Sequence, residues 1–196
     1  MVSIISAIIS DVLSTLYQQF WCSVVLSILF MFFLMQAREK GWKQLIKQWI
    51  NNWKTEKNFR VYFLLSFYVS MMLLRTILNR GFWRNSLSNV IGTWGLYYAD
   101  GKLCTEGIQN LLLFIPFTIL WMICFPTKVL RNKKFFCNIM KRTIKVSAIF
   151  ALSIEFLQLF LQVGTFQLSD IFYNVLGGLV GGLIYWIGYK FTHRKK

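Results

Sequence analysis

The sequence predicts an all-α membrane protein, a polytopic bundle of about five transmembrane helices, and three observations predict it. Of 196 residues, 56% are hydrophobic and 15% charged, where a soluble domain carries about 25% charged residues. Three long stretches, 12–37, 107–127 and 171–189, hold no charged residue at all, and about 20 apolar residues suffice to cross a hydrocarbon core as a helix. The basic residues are gathered between the apolar stretches. The net charge of +15 therefore reads as a topology signal and not as the footprint of nucleic acid.

Taken in order, the first helix is expected at 15–36. The residues before it, "MVSIISAIIS", contain no Lys or Arg. They lack the basic start of a cleavable signal, so the first span is expected to act as an uncleaved anchor. The segment 37–60 follows with seven Lys or Arg. Within it Trp42, Leu45, Ile46, Trp49, Ile50 and Trp53 recur at helical spacing with lysines beside them. That pattern predicts a cytoplasmic interfacial helix, indoles at headgroup depth and lysines toward anionic lipid.

The second helix, 61–79, is broken only by Arg75. The long segment 80–106 carries Trp83, Trp94, Tyr97 and Tyr98, aromatics suited to a polar–apolar boundary. A re-entrant or surface-lying piece is expected there. The third helix, 107–126, contains Pro116, which removes a backbone donor and predicts a kink or local opening. The segment 127–145 is basic again, a weaker copy of 37–60. The fourth helix is expected at 146–164 and the fifth at 170–190. Segment 80–106 carries three basic residues, 127–145 seven, 165–169 none and the tail 190–196 four. Positive charge stays on the cytoplasmic side. The N-terminus is thus expected outside and the C-terminus in the cytoplasm, in the plasma membrane. The chain divides into 1–60, an anchor with its basic Trp-rich helix, and 61–196, a four-helix core.

Metal and cofactor chemistry finds no support in the residue pattern. Cys22, Cys104, Cys124 and Cys137 have no ligand spacing, and His193 is the single histidine. No metal and no cofactor is expected, and a Ser-His-Asp triad is disfavoured.

Polar residues inside the spans carry more information, because a central charge costs about 2.5–3.5 kcal/mol on insertion scales. Arg75 lies about 21 Å above the inner face and Glu155 about 14 Å, close to the midplane. Gln158 and Gln162 follow Glu155 at helical spacing and share its face. Asp170 and Asn174 share a face at the start of the last helix, and Asn110 lies in the first turn of the third. All sit at the midplane or above it, which predicts a polar cleft open to the outer side. Its ligand-binding candidates are Arg75, Asn110, Glu155, Gln158, Asp170 and Asn174. Glu155 and Asp170 are the catalytic candidates. Structural explanations stand beside these: Glu155 paired with Arg75 or protonated against Gln or Asn partners, Asp170 as a helix cap, Asn110 and Asn174 as interhelical glue, Arg75 as a flanking cation. Gly177/Gly181 and Gly178/Gly182 form two overlapping GxxxG pairs, which suit either packing within the chain or a homodimer.

The ordered set "NLLLFIPF" (Asn110 to Phe117), "IEFLQ" (Ile154 to Gln158) and "GTFQLSDIFYNVLGG" (Gly164 to Gly178) resembles the VanZ-like family, and "RNSLSNVIGTWGLYY" (Arg84 to Tyr98) looks like the outer segment of one branch. The resemblance covers 75–190 and, less closely, residues from 60 on. It implies an integral membrane accessory to teicoplanin and lipoglycopeptide resistance, or to handling of envelope lipids. Gln167 stands where many relatives carry an acidic residue, and Thr165 near where some carry Arg. A two-carboxylate site would rest on Glu155 and Asp170 alone. Three functions fit these residues. The first is binding of a lipid-tailed ligand, a lipoglycopeptide or a lipid-linked wall precursor, in the outer cleft. The second is an enzyme acting on such a precursor with Glu155 as general acid or base. The third is a purely structural or partner-binding bundle surrounded by membrane lipid.

Overall fold

A computed structural model describes residues 2–36, 42–78, 81–82, 85–95, 97, 104–126 and 135–193. Trp83, Arg84, Tyr98 and the basic residues of 37–41, 79–80, 98–103, 127–134 and 194–196, on which part of the charge counting rests, lie outside the described residues. The helices are α1 (Val2–Gln36), α2 (Trp42–Thr55), α3 (Lys57–Leu73, continued by a π-helical turn at Leu74–Leu78), α4 (Glu106–Cys124), α5 (Phe135–Leu161) and α6 (Leu168–His193). Five of them, all but α2, are long and apolar enough to cross a membrane. The architecture is the predicted helical bundle.

Two boundaries differ. α1 begins at Val2 and not near 15, and its 35 residues extend about 52 Å at 1.5 Å per residue. α5 begins at Phe135 and not near 146, so Lys141, Arg142 and Lys145 lie on the same helix as Glu155. The stretch 135–145 is therefore no separate interfacial helix. Hydropathy cuts a span at its first charge, whereas a helix ends only at a breaker. Lys and Arg are good helix formers, and no Gly or Pro interrupts 135–161.

α2 docks by one edge. Leu45 is buried, the Trp49 and Trp53 rings stack at 5.4 Å, and Trp53 meets Phe63 of α3 edge-on at 5.1 Å. Trp42, Ile46 and Ile50 remain exposed beside Lys43, Lys47 and Lys54.

The core is built from α3, α4 and α5: Leu65 and Met72, then Leu113, Phe114 and Phe117, then Ala151 and Ile154. Phe117 stacks on Phe150 at 4.5 Å. α4 remains one helix through Pro116, and the Tyr68 hydroxyl donates to the Leu113 carbonyl at 2.8 Å in the turn that the proline weakens. α6 runs parallel to α4 and antiparallel to α5, and its glycines make both contacts. A Cβ on Gly177 would overlap the Leu111 carbonyl, and one on Gly181 the Thr118 hydroxyl and the Ile115 carbonyl. Gly178 faces Ser147 and Gly182 faces Thr143 on α5. Both GxxxG faces are thus occupied within the chain. A homodimer through these four residues would first have to part α6 from its neighbours.

α5 ends in a Schellman turn. The Val163 N–H donates to the Gln158 carbonyl at 3.0 Å and the Gln162 N–H to the Leu159 carbonyl at 3.3 Å, the two bonds of that motif. Gln162 takes the left-handed position at φ 55° and is exposed. It does not continue the Glu155 face as its spacing predicts, because the chain leaves the helix there. A left-handed conformation costs a residue with a Cβ about 1–2 kcal/mol. Gln162→Gly is therefore expected to raise stability by about 1 kcal/mol, read as a higher melting temperature of the purified protein in detergent.

Candidate functional site

The antiparallel packing of α5 on α6 sets the geometry. Gly182 meets Thr143 and Gly178 meets Ser147. Continuing the register by one turn and then another brings Asn174 level with Ala151, and Asp170 level with Glu155. The structure thus gathers at one end of the bundle the residues that sequence spacing picks out separately. Glu155 is 2% exposed, Gln158 1%, Asp170 3% and Asn174 4%.

Glu155 has a definite structural partner. Its Oε2 accepts the backbone N–H of Gln167 at 2.9 Å. Gln167 immediately precedes the first residue of α6, in the place of an N-cap, and Asp170 stands in the first turn. In a capping box an acid inside the helix reaches back to that N–H. Here the acid comes from α5 and ties the start of α6 to it. Asp170 lies where a carboxylate meets the positive end of the helix dipole.

Gln158 joins a third element. Its Nε2 donates to the Thr76 carbonyl at 2.8 Å, 82 residues away in sequence. Thr76 lies in the π-helical turn at the end of α3. The last carbonyls of a helix lack internal donors, and Gln158 supplies one. Arg75 is the preceding residue; it is half-buried and its Nη2 donates to Gln109 Oε1 at 3.1 Å. Gln109 Nε2 in turn donates to Thr105 Oγ1 at 2.9 Å. Arg75 therefore links α3 to α4, one residue before the point where α5 is bonded. Asn110 is half-buried beside Gln109.

Two amide oxygens of this cluster, Gln158 Oε1 and Asn174 Oδ1, are buried without a hydrogen-bond partner among the described residues. An unmet buried acceptor costs about 1–3 kcal/mol.

The cluster is covered from above. Phe166 N donates to the Ser86 carbonyl and Leu168 N to the Val90 carbonyl, both at 2.8 Å. Phe82 bridges Val163. Trp94 lies against Phe172 of α6 at 5.3 Å. Gly92, at φ +77°, sits so close to Ser169 and Gln167 that any Cβ would overlap them. Ser169 and Gln167 are bonded to each other at 3.4 Å, and Gln167 Nε2 donates to Thr165 Oγ1 at 2.8 Å. The expected cleft is thus closed over its polar floor by the segment 85–95, which forms a lid of turns. A polar surface in an apolar bundle is cheaper to cover than to leave facing lipid.

Spacing alone misses Thr76, Thr165, Gln109, Ser169 and Gly92. Thr76 acts through its backbone, which side-chain pattern cannot signal. Gln167 is visible in the sequence only as a departure from the family pattern, yet its backbone N–H is what Glu155 holds.

A family model described as VanZ/LLP1 matches residues 20–189. The match begins within α1 and takes in α2, further toward the N-terminus than the motifs at 75–190 indicate. Neither the curated proteins nor the solved structures contain a match.

Proposed function

Starting from the fact that this chain belongs to the VanZ/LLP1 family and is built as a membrane helical bundle, we propose that it is an envelope accessory protein that takes a lipid-tailed ligand into the polar cluster under the 85–95 segment. The observation that carries this is the pair of buried acceptors, Gln158 Oε1 and Asn174 Oδ1, that have no partner among the described residues. They lie in the same cluster as two carboxyl side chains. A ligand head bearing hydroxyl or amide N–H groups supplies the donors that these oxygens lack. Arg75 at the edge suits a phosphate on a lipid-linked wall precursor. The tail lies among the apolar faces of the helices.

With the N-terminus outside and the C-terminus in the cytoplasm, the cluster occupies the outer half of the plasma membrane, where lipoglycopeptides and wall precursors are met. α2 then lies at the cytoplasmic interface, with Trp42, Ile46 and Ile50 in the headgroup region and its lysines toward anionic lipid. The alternative of an enzyme asks Glu155 to carry a proton. Its Oε2 already accepts a backbone N–H, which suits a positioning acceptor better than a general base.

Deletion is expected to lower the inhibitory concentration of teicoplanin and leave that of vancomycin, which has no lipid tail, unchanged. Wild type restores resistance. Gln158→Leu with Asn174→Leu, which removes both acceptors, does not. Equal susceptibility to the lipidated drug with and without the gene would sink the resistance reading. Full rescue by the double variant would remove the polar cluster from it.

A further inference from the structure

The opposite end of the bundle holds a cavity of about 520 Å³ between α1, α2 and α3, within the size range of about 300–1,000 Å³ of small-molecule sites. One wall is apolar, formed by Met31, Leu34 and Met35 of α1 and Phe59 of α3. The polar lining includes Gln48 and Glu56. Gln48 Oε1 is buried and has no hydrogen-bond partner among the described residues. Glu56 precedes α3 in extended backbone, and its side chain makes no cap bond to that helix. Lys54 and Lys57 flank Glu56 and are exposed. On its other flank α2 presents a second groove, which Gln48 shares with Lys47 and Lys54.

This is an amphiphile's site: its polar lining joins the Glu56 carboxyl group and the unmet Gln48 Oε1 to Asn52 and Tyr62, and Lys54 and Lys57 stand beside Glu56 in the chain. A purely anionic head satisfies the lysines but brings its negative charge against Glu56. A trimethylammonium head carries the right charge but has no N–H to give Gln48 Oε1. A primary ammonium gives up to three N–H donors and a positive charge together, and the phosphate attached to it meets the lysines.

We propose that the cavity between α1, α2 and α3 binds an aminophospholipid, its ammonium held by Glu56 and Gln48 Oε1, its phosphate by Lys54 and Lys57, and its chains along Met31, Leu34, Met35 and Phe59. Because Trp49 lies against Phe32 of α1 and against Phe59 and Phe63 of α3, an occupant of this cavity clamps α2 to the bundle. The inference stands apart from the ligand of the polar cluster, which lies at the other end of α3.

The test is retention of lipid by the full chain in nanodiscs of equimolar phosphatidylethanolamine, phosphatidylcholine and phosphatidylglycerol, read by native mass spectrometry. Wild type is expected to hold phosphatidylethanolamine over phosphatidylcholine by about tenfold, the equivalent of one charge-assisted hydrogen-bond set. Glu56→Gln, a change at an exposed residue, is expected to bring that ratio close to one with an unchanged melting temperature. Equal retention of the ethanolamine and choline lipids by wild type would overturn the proposal. So would an excess of phosphatidylglycerol, or a preference unaltered in Glu56→Gln.

Discussion

Glu155→Ala is expected to destabilise the folded chain by about 3 kcal/mol, the upper end of the cost of leaving a buried hydrogen-bonding group unsatisfied. The carboxylate is 2% exposed and accepts the Gln167 N–H at the start of α6. Alanine leaves that N–H without an acceptor in a region that water does not reach, and it opens space between α5 and α6. Glu155→Gln keeps an oxygen of the same reach and is expected to lose only about 1 kcal/mol. The contrast is read from melting temperatures in detergent, with fluorescence-detected size exclusion reporting the folded fraction. If alanine melts with wild type, the bond to Gln167 is not what seats α6. If glutamine falls as far as alanine, the negative charge matters more than the acceptor.

The second large effect is expected at Gly177. A Cβ there overlaps the Leu111 carbonyl of α4, and the obstacle is backbone, which has no rotamer to change. Gly177→Ala must therefore push α6 away from α4 along their longest shared face. The cost is expected at about 3 kcal/mol, the upper end for overpacking, and Gly177→Val should abolish folded yield. Gly188 lies on the same helix, and a Cβ there would meet nothing within 4 Å among the described residues. Gly188→Ala is expected to be neutral or to gain about 1 kcal/mol of helix propensity. The pair separates close packing from glycine content. Equal melting of Gly177→Ala and Gly188→Ala would show that α4 and α6 are not held at backbone contact.

Gly177 and Glu155 also illustrate how far pattern reading goes. The GxxxG spacing announces a close helix contact, but the identical pattern serves a dimer or an internal pair. Only the position of α4 and α5 on either side of α6 assigns the first pair to Leu111 and Ile115 and the second to Ser147 and Thr143. Glu155 stands out in an apolar run, and burial follows from the cost of charge in hydrocarbon. Its partner is a backbone N–H in the next connection, which no residue type reveals. The lid is the least legible part. Segment 85–95 has turn residues and Trp94, but its hydrogen bonds to the site come from the Ser86 and Val90 carbonyls.

The number of spans, the Trp-rich helix between the first two and the buried polar residues Glu155, Gln158, Asp170 and Asn174 are legible in the linear chain, because hydropathy, helical spacing and charge are local properties. The reach of α5 back to Phe135, the left-handed turn at Gln162, the bond from Gln158 to Thr76 and the covering of Glu155 are tertiary decisions. A buried polar group must find its partner wherever packing brings one. That partner is often backbone and often distant, so its identity belongs to the register between helices and not to the sequence around the residue itself.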